Sequence, residues 1–412
     1  MKVVVLNVGS GSQKCSLFEL PNESLGDEPI DPIWEVKFDS TAPDQPQGKL
    51  LVRATLHGEN IEVGAVDESA PTAERIEYLL RMLCDGPAKV IGEFDDIDVI
   101  GHRVVHGGAE FDQAVRVTAE VEAAIQRFAG FAPLHNPSNL TGVRVARKLF
   151  GQEQRQFAVF DTAFHRTLST AAAAYPGPSA WLDQGIRRYG FHGTSFRYAS
   201  GRAAQLLGRT KDPELRLILC HLGGGCSLCA TVDGRSIDTT MGFTPLDGLA
   251  MCTRSGAVDP GILLYLLRQG ATANELEKML NKASGLKGLS GLSGDTRVLV
   301  PAAARGDKHA RLALDVFLHR LQAGIGQMIA SLGAAPHAIV FTDAISEDEP
   351  SVRAAACAQF AFLGLHLDLQ RNGASSLDTD LATKASTIRV LLIKSREAWQ
   401  IARECHALFN AA

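Results

Sequence analysis

The chain has 412 residues and a net charge of −5, and 45% of its residues are hydrophobic while 21% are charged. This length predicts two domains, with room for a third. The charge balance excludes a general basic surface for nucleic acid. No stretch reaches the roughly 20 apolar residues of a membrane helix, and the apolar start is too short for a secretory signal. The sequence therefore predicts a cytoplasmic protein with small-molecule partners, no nucleic acid and no membrane.

The predicted strands and helices alternate along the chain, which favours layers of the α/β class. In the first half, the apolar patterns predict strands at 3–6 and 15–20, a helix at 72–84, a strand at 97–101, helices at 117–128 and 139–150, and a strand at 157–160. In the second half, they predict a helix at 195–207, a strand at 214–220, helices at 276–280 and 310–332, a strand at 339–342, a helix at 352–363, a strand at 388–393 and a helix at 397–408. Asn136 or Ser138 is expected to cap the helix at 139–150.

Eight cysteines are expected to be reduced thiols in a cytoplasmic protein. Cys226 and Cys229 form a CxxC motif inside a predicted strand. Residues three apart in a strand point to opposite faces, and no second CxxC completes a zinc site. Both are therefore predicted to be small buried side chains rather than metal or redox groups.

An internal repeat links the two halves of the chain. Asn7-x-Gly9-x-Gly11 returns 214 residues later as His221-x-Gly223-x-Gly225, and each copy joins two apolar strands. Glycines let the backbone approach an anion closely, although neither turn is a Walker A loop and an ordinary hairpin would look similar. The shared offset favours two related domains, each with a turn that faces phosphate.

Charged residues follow several predicted strands and loops. Arg103, Arg254 and His192 are candidates to bind carboxylate or phosphate, although each taken singly is as well explained as a surface or core residue. Asp161 ends a predicted strand, where it could act in catalysis or cap a turn. Glu397 begins the last helix and could support Mg²⁺ or simply complement the helix dipole.

Taken together, these tracts resemble the acetate kinase family, within the larger superfamily of acetate and sugar kinases, heat-shock cognate proteins and actin. The resemblance runs along almost the whole chain and lies in residues 5–14, 101–108, 133–139, 160–167, 189–195, 221–225, 240–256 and 290–297. It implies an α/β fold with duplicated ribonuclease H-like domains, mixed five-stranded sheets flanked by helices, and a cleft between the domains. The implied N-terminal acyl- and metal-binding domain is 1–157 plus 394–412, closed by the C-terminal helix, and the nucleotide-binding domain is 158–393.

The resemblance also implies reversible phosphoryl transfer from ATP to acetate, giving acetyl phosphate and ADP, with Mg²⁺ or in its place Mn²⁺, in a homodimer. The catalytic residues would be Asp161, His192 and Arg254. The acyl substrate would meet Arg103, Val105, Leu134, His135, Phe191 and Pro245. Phosphates and nucleotide would meet Lys14, Ser10, Ser12, His221, Leu222, Gly223, Gly224, Gly225, Asp295, Thr296, Arg297, Ala344, Ile345, Ser346, Glu347 and Asp348. The metal would meet Asn7 and Glu397.

The sequence departs from the family pattern on the nucleotide side. Gly224 stands where the family has Asn, Ala344 and Ser346 stand where it has glycine, and Asp343 adds a charge beside them. Side chains at 344 and 346 are expected to stand where backbone should approach the nucleotide. This leaves open a pyrophosphate-dependent enzyme, a propionate kinase, or a degenerate protein that binds acyl phosphate or nucleotide without catalysis. Retention of the whole cation and carboxylate set argues against the last reading.

Overall fold

The computed structural model describes residues 1–9, 12–39, 48–374 and 377–411. The strands are β1 Lys2–Val8, β2 Ser12–Glu19, β3 Trp34–Asp39, β4 Lys49–Leu56, β5 Glu59–Asp67, β6 Val99–Val104, β7 Val115–Arg116, β8 Arg155–Phe160, β9 Arg216–Leu222, β10 Cys226–Val232, β11 Arg235–Thr239, β12 Ala338–Thr342, β13 Thr379–Asp380 and β14 Arg389–Leu392.

The α-helices are α1 Thr72–Arg81, α2 Ala119–Arg127, α3 Asn136–Phe150, α4 Thr170–Ala173, α5 Ala180–Asp183, α6 Gly193–Leu206, α7 Pro260–Arg268, α8 Ala273–Lys282, α9 Gly285–Ser290, α10 Thr296–Ala304, α11 Lys308–Leu332, α12 Ala344–Asp348, α13 Pro350–Ala358, α14 Leu369–Ala374 and α15 Glu397–Ala411. Short 3-10 helices lie at Phe94–Asp96, Phe128–Gly130, Ala163–Thr167 and Ala361–Leu363. In the part of the chain that the structure describes, no helix has the length and apolar character to cross a membrane.

The chain forms two compact units. The first contains Met1–Ala163 and Arg396–Ala412, and the second contains Phe164–Ser395. In the first, the sheet has the strand order β5-β4-β3-β2-β1-β6-β8-β7. In the second, the order is β11-β10-β9-β12-β14-β13. The acyl- and metal-binding role expected of the first domain and the nucleotide-binding role expected of the second stay predictions, because a division into compact units does not identify what each unit binds.

Both sheets contain the same five-strand core, as the internal repeat predicts. The runs β3-β2-β1-β6-β8 and β11-β10-β9-β12-β14 each begin with an antiparallel meander and end with parallel strands. The prediction of mixed five-stranded sheets flanked by helices is thus confirmed for the cores. Within the described residues, however, the complete sheets have eight and six strands. The β4–β5 hairpin and the short strands β7 and β13 extend them, because each edge strand leaves unpaired backbone groups that a neighbouring segment can satisfy.

Helices cover the sheets through apolar faces. In the first unit, α15 packs on β1 and β6, and Trp399 lies with its ring centroid 6.0 Å from that of Phe18 on β2. In the second, the long helix α11 packs on β10 and approaches closely at Gly324, where an added Cβ would lie 2.8 Å from Leu228. The contacts of α15 hold the C-terminal helix against β1, the strand that leads into the first copy of the repeated turn.

Most predicted elements are confirmed with shifted ends, but the predicted cap of the third long helix is wrong. Helix α3 begins at Asn136, after His135, and no side chain caps it. The Asn136 amide instead joins the backbone N–H and C=O of His106 at 3.1 and 3.0 Å. The Asn136 side chain therefore makes a tertiary contact with His106 instead of capping the helix.

The cysteines are free thiols, as expected. Cys226 and Cys229 both lie buried in β10, and burial raises the pKa of Cys229 to about 12. A thiol that stays protonated at neutral pH is a poor metal ligand and a poor nucleophile. The CxxC motif is therefore part of the core.

Candidate functional site

In the first unit, the candidate residues converge at the carboxyl ends of three parallel strands. Leu6 of β1 pairs with His102 of β6, and Val104 of β6 pairs with Phe160 of β8. The register consequently brings Asn7, Arg103 and Asp161 to one edge of the sheet, which is where open α/β sheets bind ligands.

Asp161 holds the guanidinium of Arg103 in a two-point contact. The Nη2 atom of Arg103 donates to Oδ2 at 2.6 Å, while Nε lies 3.0 Å from Oδ1. Only 1% of the Asp161 side chain is exposed, against 16% for Arg103. The carboxylate is therefore sequestered behind the cation, and the arginine presents the accessible charge. Such forked pairs fix orientation as well as charge.

Asn7 and Glu397 complete this cluster. The Asn7 Oδ1 atom accepts from Nη1 of Arg103 at 3.1 Å, and its Nδ2 donates to Oε2 of Glu397 at 3.3 Å. The same Glu397 oxygen lies 3.8 Å from Nη1 of Arg103. One carboxylate and one amide oxygen suit Mg²⁺, which usually keeps several waters and shares substrate phosphates. The donor set therefore fits a metal that is only partly held by protein.

The other residues predicted for the first unit have separate environments and do not join the cluster of Asn7, Arg103, Asp161 and Glu397 through the contacts described below. Val105 is buried and its N–H donates to Asn139 Oδ1 at 3.1 Å, whereas Leu134 is exposed and His135 precedes α3. Lys14 pairs with Glu35 at 2.8 Å. Its ammonium is thus directed to a neighbouring strand. The predictions for Ser10 and for the side chain of Ser12 fall outside what the structure describes.

In the second unit, two histidines stack beside the second glycine turn. The rings of His192 and His221 have centroids 4.0 Å apart at an interplanar angle of 27°. Their Nδ1 atoms are held by serine hydroxyls, His192 by Ser227 at 2.8 Å and His221 by Ser195 at 2.9 Å. His192 also has a left-handed backbone, with φ at 58°, where α6 begins. Fixing Nδ1 in this way fixes the orientation of each ring.

The glycine turn itself brings His192 and Arg254 together. An added Cβ on Gly225 would lie 3.2 Å from Nε2 of His192 and 3.5 Å from Nη1 of Arg254. The Arg254 Nη1 atom also donates to the carbonyl of Pro245 at 3.1 Å. Only glycine fits here without a shift, and the two candidate anion-binding side chains therefore border the turn.

Two thiols donate hydrogen bonds to the same turn. The Sγ atoms of Cys226 and Cys252 each lie 3.4 Å from the carbonyl oxygen of Gly223, to which they donate. The N–H of Gly223 donates to the carbonyl of Gly225 at 3.1 Å. Leu222 ends β9 as a fully buried residue. The turn is thus held by these hydrogen bonds, while among the described residues no atom lies within 4 Å of a Cβ built on Gly224.

The segment after β12 contains residues that are expected to meet the nucleotide. Ser346 is buried, and its hydroxyl faces the carbonyl of Cys220 at 3.5 Å. Its side chain therefore turns into the core, and the expectation that it stands in the approach to the nucleotide stays a prediction. Ile345 is buried as well, whereas Ala344 and Asp348 are exposed. Burial, with a smaller contribution from the Asp343 charge, raises the pKa of Glu347.

The remaining predicted residues take local structural positions. Asp295 caps α10, accepts from the backbone N–H of Arg297 at 2.9 Å, and pairs with the Arg297 guanidinium at 2.8 Å. The Arg297 hydrogen bond is the main reason why the pKa of Asp295 is lowered. Thr296 and Phe191 are buried, and Phe191 accepts from His165 Nε2 through its carbonyl at 3.0 Å.

Three features of this site were not predicted from sequence. Ser195 and Ser227 orient the histidines, and Asp343 contacts one of them, with its Oδ2 3.3 Å from Nε2 of His221. Ser227 does lie two residues after the repeated glycine turn, so its position could have been noticed. The contact of Asp343 depends on the parallel pairing of β9 with β12, which no local pattern reveals.

Charged side chains of fixed orientation and a glycine turn that can approach phosphate are what a phosphotransferase requires, and the two related α/β units supply them. The family model of the acetokinase family matches residues 2–403. The chain belongs to the acetokinase family.

Relatives and solved structures agree with this assignment. An acetate kinase of Trichormus variabilis is 49% identical over 411 residues, covering 100% of both chains. The crystal structure of Porphyromonas gingivalis acetate kinase matches with a TM-score of 0.85 and 34% identity, covering 99% of each chain. A propionate kinase structure from Francisella tularensis matches with a TM-score of 0.86 and 35% identity, covering 98% of this chain and 99% of the other.

Proposed function

We propose that this chain is an acetate kinase that transfers a phosphoryl group reversibly between ATP and acetate, giving acetyl phosphate and ADP, with Mg²⁺. The observation that carries the proposal is the cation cluster at the sheet edge, where buried Asp161 holds Arg103 beside Asn7. The family and its full-length relatives support the same reaction.

The first unit is proposed to bind the carboxylate. Arg103 has its orientation fixed and retains an accessible part, so it can bind an acetate or acyl phosphate oxygen. Acetate is already ionised at neutral pH, because carboxyl pKa values lie near about 4. No base is needed to activate it, and Asp161 therefore serves to position Arg103 rather than to remove a proton. Val105 and Leu134 are proposed to contact the methyl group.

The second unit is proposed to bind the moving phosphoryl group and the donor phosphates. A loose phosphoryl transition state spreads charge over three oxygens and requires mainly positioning and cations. His192 and Arg254 border the rigid turn at Gly225, where they can stabilise such charge. The backbone of 223–225 is proposed to approach the donor phosphates, and α10 and α12 to contact the nucleotide.

The metal is proposed to bind at Asn7 and Glu397, where it would neutralise phosphate charge. The neighbouring Arg103, whose Nη1 atom lies 3.8 Å from the Glu397 oxygen, makes tight metal binding in the absence of phosphate unfavourable, because it places a like charge beside the metal. Substrate phosphate would then supply the missing ligands. Acyl and metal binding are accordingly assigned to the first unit and nucleotide binding to the second.

A homodimer is proposed from one exposed surface. Helix α7 has no buried residue, and Ile262, Leu264, Tyr265 and Leu267 are exposed by 49, 52, 60 and 44%. A helix that is apolar all round belongs against another apolar surface. A second copy of this helix offers such a surface with closed symmetry.

The reaction is tested with purified protein, acetate and either ATP or pyrophosphate, by measuring acetyl phosphate. We expect formation with ATP, loss on chelation of the divalent metal, and a weaker response to propionate. Turnover with pyrophosphate but not with ATP would show that pyrophosphate is the donor, an alternative that the altered residues at 343–346 leave open. The absence of turnover with both donors would favour a protein that only binds acyl phosphate or nucleotide.

A further inference from the structure

Asp343 has a backbone conformation that aspartate rarely adopts. It follows β12 and has φ 73° and ψ 170°. This region is essentially restricted to glycine, because a Cβ there crowds the adjacent backbone, and residues held in it tend to occur at functional sites. The surrounding structure holds it in place, since the N–H of Asp343 donates to Oε1 of Glu347 at 3.2 Å and the same oxygen accepts from Ser395 N–H at 2.7 Å.

The strained backbone directs the Asp343 carboxylate onto the second glycine turn. Its Oδ2 lies 3.3 Å from Nε2 of His221 and occupies the space that a Cβ on Gly223 would need. The side chain is 30% exposed, whereas that of His221 is 6% exposed. A negative charge therefore lies against a turn whose glycines are suited to anions.

This charge acts on the groups around the turn. Burial is the main reason why the pKa values of Cys226 and Cys252 are raised, and Asp343 adds to the rise in both. The same charge would oppose a phosphate at Gly223, and it also uses the Nε2 position of His221 that could otherwise meet a phosphate oxygen. Both effects oppose binding of a highly charged donor.

We propose that Asp343 is a specificity-determining residue that weakens the binding of polyphosphate donors in proportion to their negative charge. This inference rests on the proposed role of the turn at 223–225 in binding donor phosphates. The enzyme would then favour the less charged of two polyphosphate donors. A donor whose negative charge is neutralised by a bound cation would bind more tightly than the same donor without the cation.

The test compares Asp343→Asn, which removes charge and keeps shape, with Asp343→Gly, which also relieves the backbone. Titration calorimetry of the full chain with ADP and with ATP is expected to show about tenfold tighter binding in both variants at low salt. The gain should be larger for ATP, and it should shrink in about 0.5 M salt because exposed charges are screened. Asp343→Gly should in addition raise Tm, which Asp343→Asn should not.

Asp315→Asn, on an exposed position of α11, is the control for loss of one negative charge. Unchanged or weaker nucleotide binding in both variants would overturn the proposal. The KM for acetate should stay as in the unmodified chain. Acetyl phosphate formation by the unmodified chain tests the proposed function separately, so that either idea can fail alone.

Discussion

At the scale of single residues, the site depends on side chains whose orientation is fixed by others. Asp161 contributes through Arg103, and Ser195 and Ser227 contribute through the two stacked histidines. Positioning of this kind suits phosphoryl transfer, because little covalent chemistry is left for the protein to perform. Buried partners should therefore matter as much as the exposed groups that are proposed to meet substrate.

Asp161→Asn should lower kcat/KM for acetate by roughly 100-fold, because a neutral amide cannot hold the guanidinium of Arg103 in a two-point contact. Steady-state assays measure this, with circular dichroism to verify folding. Asp112→Asn, at an exposed position of the same unit, is the matched control. Near-normal turnover of Asp161→Asn would refute the role given to this carboxylate.

Stability should fall in acid because of a buried imidazole. Burial lowers the pKa of His165 to about 4, below its ordinary value of 6.5. The ring is neutral when Nε2 donates to the carbonyl of Phe191 and Nδ1 accepts from Ser236 at 2.8 Å. Between pH 6.5 and 4, this histidine binds a proton in the unfolded chain but stays neutral in the folded chain. The free energy of unfolding therefore falls as the pH is lowered from 6.5 to 4, by about 3 kcal/mol in total.

Urea unfolding at pH 7 and pH 5 measures this loss. His165→Gln should show a smaller difference between the two midpoints than the unmodified chain. Part of the difference should remain in this variant, because burial also lowers the pKa of His102 to about 4. His309→Gln on the exposed face of α11 should leave the difference as it is. An equal pH dependence in His165→Gln and the unmodified chain would count against the argument.

At the scale of elements, the short helix α12 is fixed by a buried cation. Arg353 of α13 is fully buried and donates to the carbonyls of Ser346, Glu347 and Asn372. The carbonyls at the end of a helix have no partner within it, and in α12 the guanidinium meets two of them. The contact fixes the position of the helix that follows Asp343 and carries Glu347.

Arg353→Met should lower the free energy of unfolding by roughly 2–4 kcal/mol, because buried carbonyls would lose a charged donor. Chemical denaturation of the full chain measures the change. Arg371→Met, at an exposed position of α14, should cost less than about 0.5 kcal/mol. Similar losses in the two variants would show that the guanidinium does not hold α12.

At the scale of the whole molecule, duplication explains why each unit ends its central strands at a set of polar residues. The edge that carries Asn7 and Arg103 in the first sheet corresponds to the edge that carries His221 and Asp343 in the second. The two copies have diverged into a proposed carboxylate-binding set and a proposed phosphate-binding set. The exposed helix α7 belongs to the second unit and has no counterpart among the described helices of the first.

Tyr265→Asp should convert the proposed homodimer to monomer at micromolar concentration, because a charge would be buried in an apolar interface. Analytical ultracentrifugation measures the molecular mass. Phe362→Asp, which changes an aromatic residue that is 78% exposed outside α7, should leave the mass unchanged. A monomeric unmodified chain, or a Tyr265→Asp variant that stays dimeric, would exclude α7 as the interface.

Local patterns in the sequence determined the main elements and the family. Apolar periodicity and glycine-rich turns act over a few residues, so the hairpins, the long helices and the repeated turn could be predicted, as could the residues that resemble the family motifs. The ends of helices were less predictable, because a side chain such as Asn136 could serve either a local cap or a distant backbone.

Only the tertiary structure decided how those residues act. The hydrogen bond between Arg103 and Asp161 joins residues 58 apart in sequence, and that between Asn7 and Glu397 joins residues 390 apart. The inward direction of Ser346 and the contact of Asp343 with His221 depend on the pairing of β9 with β12, and Arg353 donates to the carbonyl of Ser346. Sequence thus determined which groups are present, while strand register and burial decided which of them face a ligand, because those depend on contacts between distant segments.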